Sequence, residues 1–312
     1  MTGMLLNLAL TLALAPLLTG LLNKTKEVFA GRRGASVFQL YYDLFKLLRK
    51  SSPRSLSSTW LFDLAPILSL AALLAATLVF PLGHTAALVA FSGDAVVFFY
   101  LLGTSRFFTV LGARDVASAF PDMGSAREVQ FSSLIEAIVF AALAFLALMS
   151  RERTLTGFLS FTPGEEVAAA VPLLLAAAAM FVVLLAENCR VPFDDPETHL
   201  ELTMIHEAMI LDNSGPDLAF ILYGASLKLW LFSAFCVRML FPDPVVAFGF
   251  FPLTLLMGVV VGAVESSMAR MRFLKTPFVL AGAFALAVLA LVLEAMAKCP
   301  FSSMYSLPPS WW

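Results

Sequence analysis

Apolar residues run through this chain in long, almost unbroken windows, and polar residues collect in the gaps between them. A window of roughly 17 to 25 apolar residues crosses about 30 Å of hydrocarbon as a helix. The pattern predicts eight such spans, near 4–22, 61–82, 95–111, 130–149, 167–187, 218–240, 245–264 and 277–297. Asp94 and Arg106 crowd the third from both ends. The first has no basic residue ahead of it and no clear cleavage site, so it is expected to remain in the mature protein. Residues 1–312 therefore read as one polytopic domain, an all-α integral membrane protein.

Two gaps carry a pattern of their own. Over 36–50, Val37, Leu40, Tyr41, Leu44, Phe45, Leu47 and Leu48 recur at helical spacing opposite Asp43, Lys46, Arg49 and Lys50. This predicts an amphipathic surface helix, lying either at the lipid interface or against a soluble partner. The other gap, 187–217, holds eight of the 22 acids: Glu187, Asp194, Asp195, Glu197, Glu201, Glu207, Asp212 and Asp217. Asp195 followed by Pro196 is a helix-start pair and Asn213 to Pro216 a stop signal, which predicts a helix from 196 to about 212. It is too short and acidic to span lipid, and is expected to re-enter the interior and line a wet cavity.

Composition agrees with a bilayer setting, with 60% hydrophobic residues, 13% charged residues and a mean hydropathy of +0.88. A net charge of -2 and the lack of a basic patch exclude nucleic acid as a partner. Cys189, Cys236 and Cys299 lie far apart without a CxxC pair, which supports no zinc or iron-sulfur site in this chain. Fifteen of the 20 Lys and Arg fall after the odd-numbered spans. By the positive-inside rule both termini face away from the cytoplasm, and the acid-rich stretch lies on the cytoplasmic side.

Carboxylates clustered in a low-dielectric cavity cannot all ionise, so such a group can share, store or relay protons. Glu187, Glu201 and Glu207 are enclosed by apolar residues and are the leading candidates; Asp194, Asp195 and Glu197 suit this proton role and a structural one, as helix caps, a charged rim or a docking site, equally well. Arg190, one turn after Glu187, is placed to hold one carboxylate charged. Glu128 and Glu136, eight residues apart near one face of span four, and Lys228 in mid-span six extend the polar set. A lysine at that depth requires an acidic partner or a wet cavity. Asp63, Glu265 and Glu294, near span ends, read as interfacial residues. His199 and His206 lack companions for a metal site.

The run of Glu187, Arg190, Pro192, Phe193, Asp194, Pro196, Glu197, Glu201 and Leu202 resembles the signature of the NADH dehydrogenase subunit 1 family, a membrane subunit of respiratory complex I. Its continuation through His206, Glu207 and Asp212 resembles the hydrogenase branch: formate hydrogenlyase subunit 4, hydrogenase-4 component C and the membrane anchors of energy-converting hydrogenases. Gly31 to Gly34 with Gln39, Tyr41, Asp43, Lys46 and Lys50 is similar to the family's first cytoplasmic loop, and Met123 to Glu128 to its entry into span four. Ala35, Leu40, His199 and Met209 depart from the respiratory pattern and favour electrons ending on protons at a nickel-iron site rather than on quinone.

The resemblance implies a multi-pass subunit of the cell inner membrane with no cofactor of its own. Nickel-iron and iron-sulfur centres are expected in its partners: hydrogenase large and small subunits and a ferredoxin-like subunit, beside antiporter-like membrane subunits. Arg32, Arg33, Gln39, Asp43 and Lys46 would then dock the soluble module. The remaining readings are a quinone-site subunit of a complex I-type dehydrogenase and a self-contained cation or proton transporter; the chain shows no internal repeat of the kind many transporters carry.

Overall fold

A computed structural model describes residues 2–55, 58–83, 85–160, 167–194, 204–241 and 243–298. Eight helices are long and apolar enough to span a bilayer, as the hydropathy pattern predicts. They are α1 (Thr2–Phe29), α3 (Trp60–Val79), α4 (Asp94–Asp115), α5 (Ala119–Ser150), α7 (Val167–Glu187), α9 (Gly215–Leu240), α10 (Asp243–Ser267) and α11 (Thr276–Lys298). Between them lie the surface helix α2 (Gln39–Leu48) and the short helices α6 (Leu155–Leu159) and α8 (His206–Met209). Among the described residues there is no strand.

Position in the bundle follows from how each helix distributes its apolar residues. From Leu227 to Val237, α9 is buried almost all round and packs against α1, α3, α7 and α10; a helix apolar on every side belongs in the middle. The other spans keep an outer face of exposed Leu, Val, Ile and Phe, including Ile67, Phe107, Leu174, Leu256 and Leu289, which suits lipid. α3 pairs with α4, and α11 with α5 and α7.

Two helices differ from expectation in ways that shape the interior. α5 begins at Ala119 and has 32 residues, about 48 Å of helix at 1.5 Å per residue, well beyond the hydrocarbon thickness. Its first turns are polar and escape a hydropathy window, yet they form the wall on which α8 packs. The helix expected over 196–212 is, in its described part, the single turn His206–Met209; Met204 and Ile205 before it and Ile210 to Asn213 after it are not helical. Asp195, Glu197, His199 and Glu201 lie outside the described residues.

Pro16 interrupts the ladder of α1, since it has no N–H to offer the carbonyl of Leu12. The Tyr223 hydroxyl of α9 donates to that carbonyl at 3.0 Å, and the Tyr41 hydroxyl of α2 donates to the carbonyl of Ala13.

The sequence Gly215-Pro216, expected to stop the preceding helix, opens α9 instead. Gly215 has φ +55, and a Cβ there would stand 2.9 Å from Lys50 O and 2.7 Å from Ser52 Oγ. The linker after α2 can therefore approach, with Ser52 Oγ donating to Ser214 O at 2.6 Å. Arg54 then bridges Asp217 at 2.5 Å and Asp63 at 2.9 Å. Gly215→Ala is expected to cost about 1–2 kcal/mol from the left-handed backbone alone, read as a lower Tm in detergent. Gly282→Ala, with open space at its Cβ, is the control expected to leave Tm unchanged.

Candidate functional site

Glu187 is the last residue of α7, and its buried carboxylate is met from two sides. Lys228, midway along α9, reaches it with Nζ 2.6 Å from Oε2 and donates also to the Glu187 carbonyl at 2.7 Å. Arg106 of α4 pairs with Oε1 through one nitrogen of its guanidinium and holds Glu136 of α5 with the other, at 2.8 Å. Long aliphatic stems let both cations carry their charge inward from separate helices. Two cations thus face two carboxylates, which balances formal charge. Glu128, buried one face of α5 away, is a third carboxylate, and its Oε2 accepts from the Cys189 thiol at 3.8 Å. Burial pushes that thiol well above its ordinary pKa, with the charges of Glu128 and Asp194 adding, so it keeps the proton it donates.

After α7, Asp194 ties the described residues on either side of 195–203 together. Its carboxylate, 1% exposed, accepts from the backbone N–H of Ile205 at 2.8 Å and pairs with Arg270 at 2.9 Å, so the two ends of the segment meet. Arg127 donates to Met204 O at 2.9 Å. Gly124 of α5 has Ile205 O and Ala208 Cβ where a Cβ of its own would sit, at 2.8 and 3.0 Å, so a side chain at 124 would push α8 off its wall.

Arg190 does not hold Glu187, as sequence spacing suggested. It turns to Glu265 of α10, with Nε 3.7 Å from Oε1, while Lys26 of α1 stands 3.1 Å from Oε2. Glu265, near the end of α10, is buried between two cations.

Three cavities run through this region. One of about 260 Å³ is walled by α1, α2 and α9, with Asn23, Leu40, Asp194, His206 and Glu207 among its lining. It shares Asn188, Cys189, Arg190, His206 and Ala225 with a polar cavity of about 70 Å³ that contains Glu128, Glu187, Arg106 and Lys228. Arg106 and Glu187 in turn border a third, of about 40 Å³, which ends at Glu136, Tyr100 and Phe140 on the outer face between α4 and α5. Each has room for at least one water.

Of the predicted residues, the structure brings together Glu128, Glu136, Glu187 and Lys228, and sets Asp194 and Glu207 at the adjoining cavity. Arg32, Arg33, Gln39, Asp43 and Lys46 lie apart from it on and before α2, with Gln39 donating to Asp43 at 3.0 Å. Arg106 was missed as a site residue, although an arginine inside an apolar window carries the same signal that singled out Lys228. Among the described residues no group of three His, Cys, Asp or Glu is placed to hold a metal ion.

The profile of the NADH dehydrogenase family matches residues 2–295. Formate hydrogenlyase subunit 4 of Escherichia coli (strain K12) is 28% identical over 291 residues, covering 90% of this chain and 94% of that protein. Hydrogenase-4 component C of the same organism is 29% identical over 234 residues, covering 74% and 72%. A chain of the membrane-bound sulfane sulfur reductase, an archaeal respiratory membrane complex, shares the fold with a TM-score of 0.78 at 15% identity, over 94% of this chain and 99% of that one.

Removing one partner from a buried ion pair costs about 3–5 kcal/mol. Lys228→Met and Glu187→Gln should each lower Tm on that scale, and the double variant should lose clearly less than the sum; additive losses would mean the two side chains do not interact. Burial, helped by the charges of Lys228 and Arg190, pushes His206 down to about 4. The unfolded chain, with His206 near 6.5, binds a proton that the folded chain refuses, so stability falls as pH drops from about 6.5 towards about 4. His206→Gln is expected to flatten that limb of the stability profile, measured as Tm against pH.

Proposed function

This chain belongs to the NADH dehydrogenase family, and on that footing we propose that it is the membrane anchor and proton-coupling subunit of an energy-converting [NiFe] hydrogenase of the formate hydrogenlyase type. The curated relatives named above are components of a formate hydrogenlyase and of hydrogenase-4, which supports this assignment over a complex I-type quinone subunit. In this proposal the chain lies in the cell inner membrane with both termini outside the cytoplasm. The nickel-iron site and iron-sulfur clusters sit in the hydrogenase large and small subunits and a ferredoxin-like subunit docked near Arg32, Arg33, Gln39, Asp43 and Lys46, and antiporter-like subunits lie alongside in the membrane.

The observation that carries the coupling role is the row of three cavities, neighbours through shared lining residues, from Asp194, His206 and Glu207 past Glu128, Glu187 and Lys228 to Glu136. Ordinary packing would fill such space with apolar side chains; here it is lined by carboxylates and cations, the setting that lets acids share protons at membrane depth. Glu187 and Glu136 have their charges matched by Arg106 and Lys228. Glu128 is then the acid whose gain or loss of a proton changes the net charge of the cluster. A redox step in a neighbouring subunit that changes the charge or shape of the cavity near Asp194 would be felt at Glu128 through Cys189, which lines both cavities.

Purification from native membranes in mild detergent separates this reading from a self-contained transporter: nickel- and iron-containing subunits should co-purify, and a chain that runs alone would sink the proposal. Glu128→Gln should leave the assembled complex and its hydrogen production with an artificial donor intact, while proton translocation in inverted vesicles falls by at least about tenfold. Undiminished translocation would reduce the cluster to a structural one.

A further inference from the structure

α2 carries three faces rather than the two its hydropathy pattern suggests. Successive residues of an α-helix are about 100° apart, so Leu40, Tyr41, Leu44 and Leu47 share one side, which turns toward α1 and α9. Leu40 lines the 260 Å³ cavity and the Tyr41 hydroxyl is bonded to α1. A second side carries Gln39, Asp43, Lys46 and Lys50. The third is a ridge of Phe38, Tyr42, Phe45 and Arg49, spaced four, three and four residues apart. This ridge is apolar and uncovered: Phe38 is 56%, Tyr42 65% and Phe45 58% exposed, with Leu48 beside it at 51%. The Arg49 guanidinium lies over the Phe45 ring, 4.0 Å from its centroid. The three sides stand roughly 120° apart.

Three aromatic rings in a row do not stay in water without a partner, and charge indicates which partner. The segment from Lys24 to Arg54 holds eight cations and two acids. Lys24 is paired with Glu27, Lys26 with Glu265, and Arg54 with Asp63 and Asp217. Arg32, Arg33, Lys46, Arg49 and Lys50 have no carboxylate against them among the described residues, and all five are exposed. Rings of this kind favour the boundary between hydrocarbon and headgroups, and Lys and Arg beside them are drawn to anionic lipid.

We propose that the outer ridge of α2 is a lipid-binding surface: Phe38, Tyr42 and Phe45 enter the interfacial layer beside the bundle while Arg49 and Lys50 take anionic headgroups. With the inner side against α1 and α9 and the ridge turned to lipid, the Gln39, Asp43 and Lys46 side is left facing water. The bilayer then holds α2 as the outer wall of the 260 Å³ cavity, and the lipid composition sets how firmly that wall is seated. This rests on the chain spanning a membrane and not on the proposed hydrogenase role.

The test uses the purified protein in bilayers, with nitroxide labels on Phe45→Cys, Phe38→Cys and Lys46→Cys and the unsubstituted chain as background. Collision with oxygen reports lipid and collision with a water-soluble nickel chelate reports solvent. In bilayers of equal parts phosphatidylglycerol and phosphatidylcholine, labels at 38 and 45 should be several-fold more accessible to oxygen than to nickel, and the label at 46 the reverse. In phosphatidylcholine alone, or in the Arg49→Gln, Lys50→Gln double variant, the labels at 38 and 45 should move toward water. Labels at 38 and 45 open to nickel in both bilayers would overturn the proposal. Equal depth with and without the anionic lipid would overturn the headgroup assignment. Labels shielded from both probes once the native complex is assembled would hand the ridge to a protein partner.

Discussion

A charge inside a bilayer has to be matched, and Glu187 shows how much structure that requirement organises. Moving a carboxylate out of water costs several kcal/mol even after relaxation, and the return comes only with close, well-directed partners. Lys228 and Arg106 supply them from α9 and α4. Three helices that are distant in sequence must therefore converge at one depth, with α5 close enough for Glu136 to take the free arm of Arg106. The same solution recurs at Glu265, where Lys26 of α1 and Arg190 meet on α10. Through these two clusters, six of the spanning helices are tied by ionic contacts rather than by apolar packing alone.

These ties also explain how non-helical backbone is tolerated inside the bundle. The described residues after α7, 188–194 and 204–205, leave N–H and C=O groups outside any helix, which hydrocarbon would not accept. Asp194 takes the Ile205 N–H, Arg127 takes the Met204 carbonyl, and the Pro192 carbonyl accepts from Met271 N at 3.0 Å. The extra turns of α5 and the bare backbone at Gly124 give the segment a wall to lie on. What remains between wall and helices is the water-sized space next to Glu128.

The spans were legible because hydropathy is a property of composition over twenty residues, and neighbours cannot conceal it. The early start of α5 was not, since its first turns hold Asp122, Arg127 and Glu128 and look like loop to the same measure. Lys228 stood out for the cost of a lysine at mid-span, but its partner did not: Glu187 is 41 residues away, and nothing in a linear pattern says which acid a lysine will find. Arg190 was matched to Glu187 because they lie three positions apart, a rule that holds within a helix. α7 ends at Glu187 and the chain turns, so the rule lapses there. The split of the apolar residues of α2 into an inner side and an outer ridge was implicit in their spacing, but only packing against α1 and α9 shows which of them are spent.

The break in the ladder at Pro16 has a mechanical side. The carbonyls of Leu12 and Ala13 are adjacent on α1, and one is held by Tyr223 of α9 while the other is held by Tyr41 of α2. Tyr223 is one and a half turns from Lys228, and Tyr41 is flanked by Leu40 at the cavity wall. A surface element and the helix that carries the buried lysine thus hang from a single pivot. One turn of α1 serves as the common anchor of both.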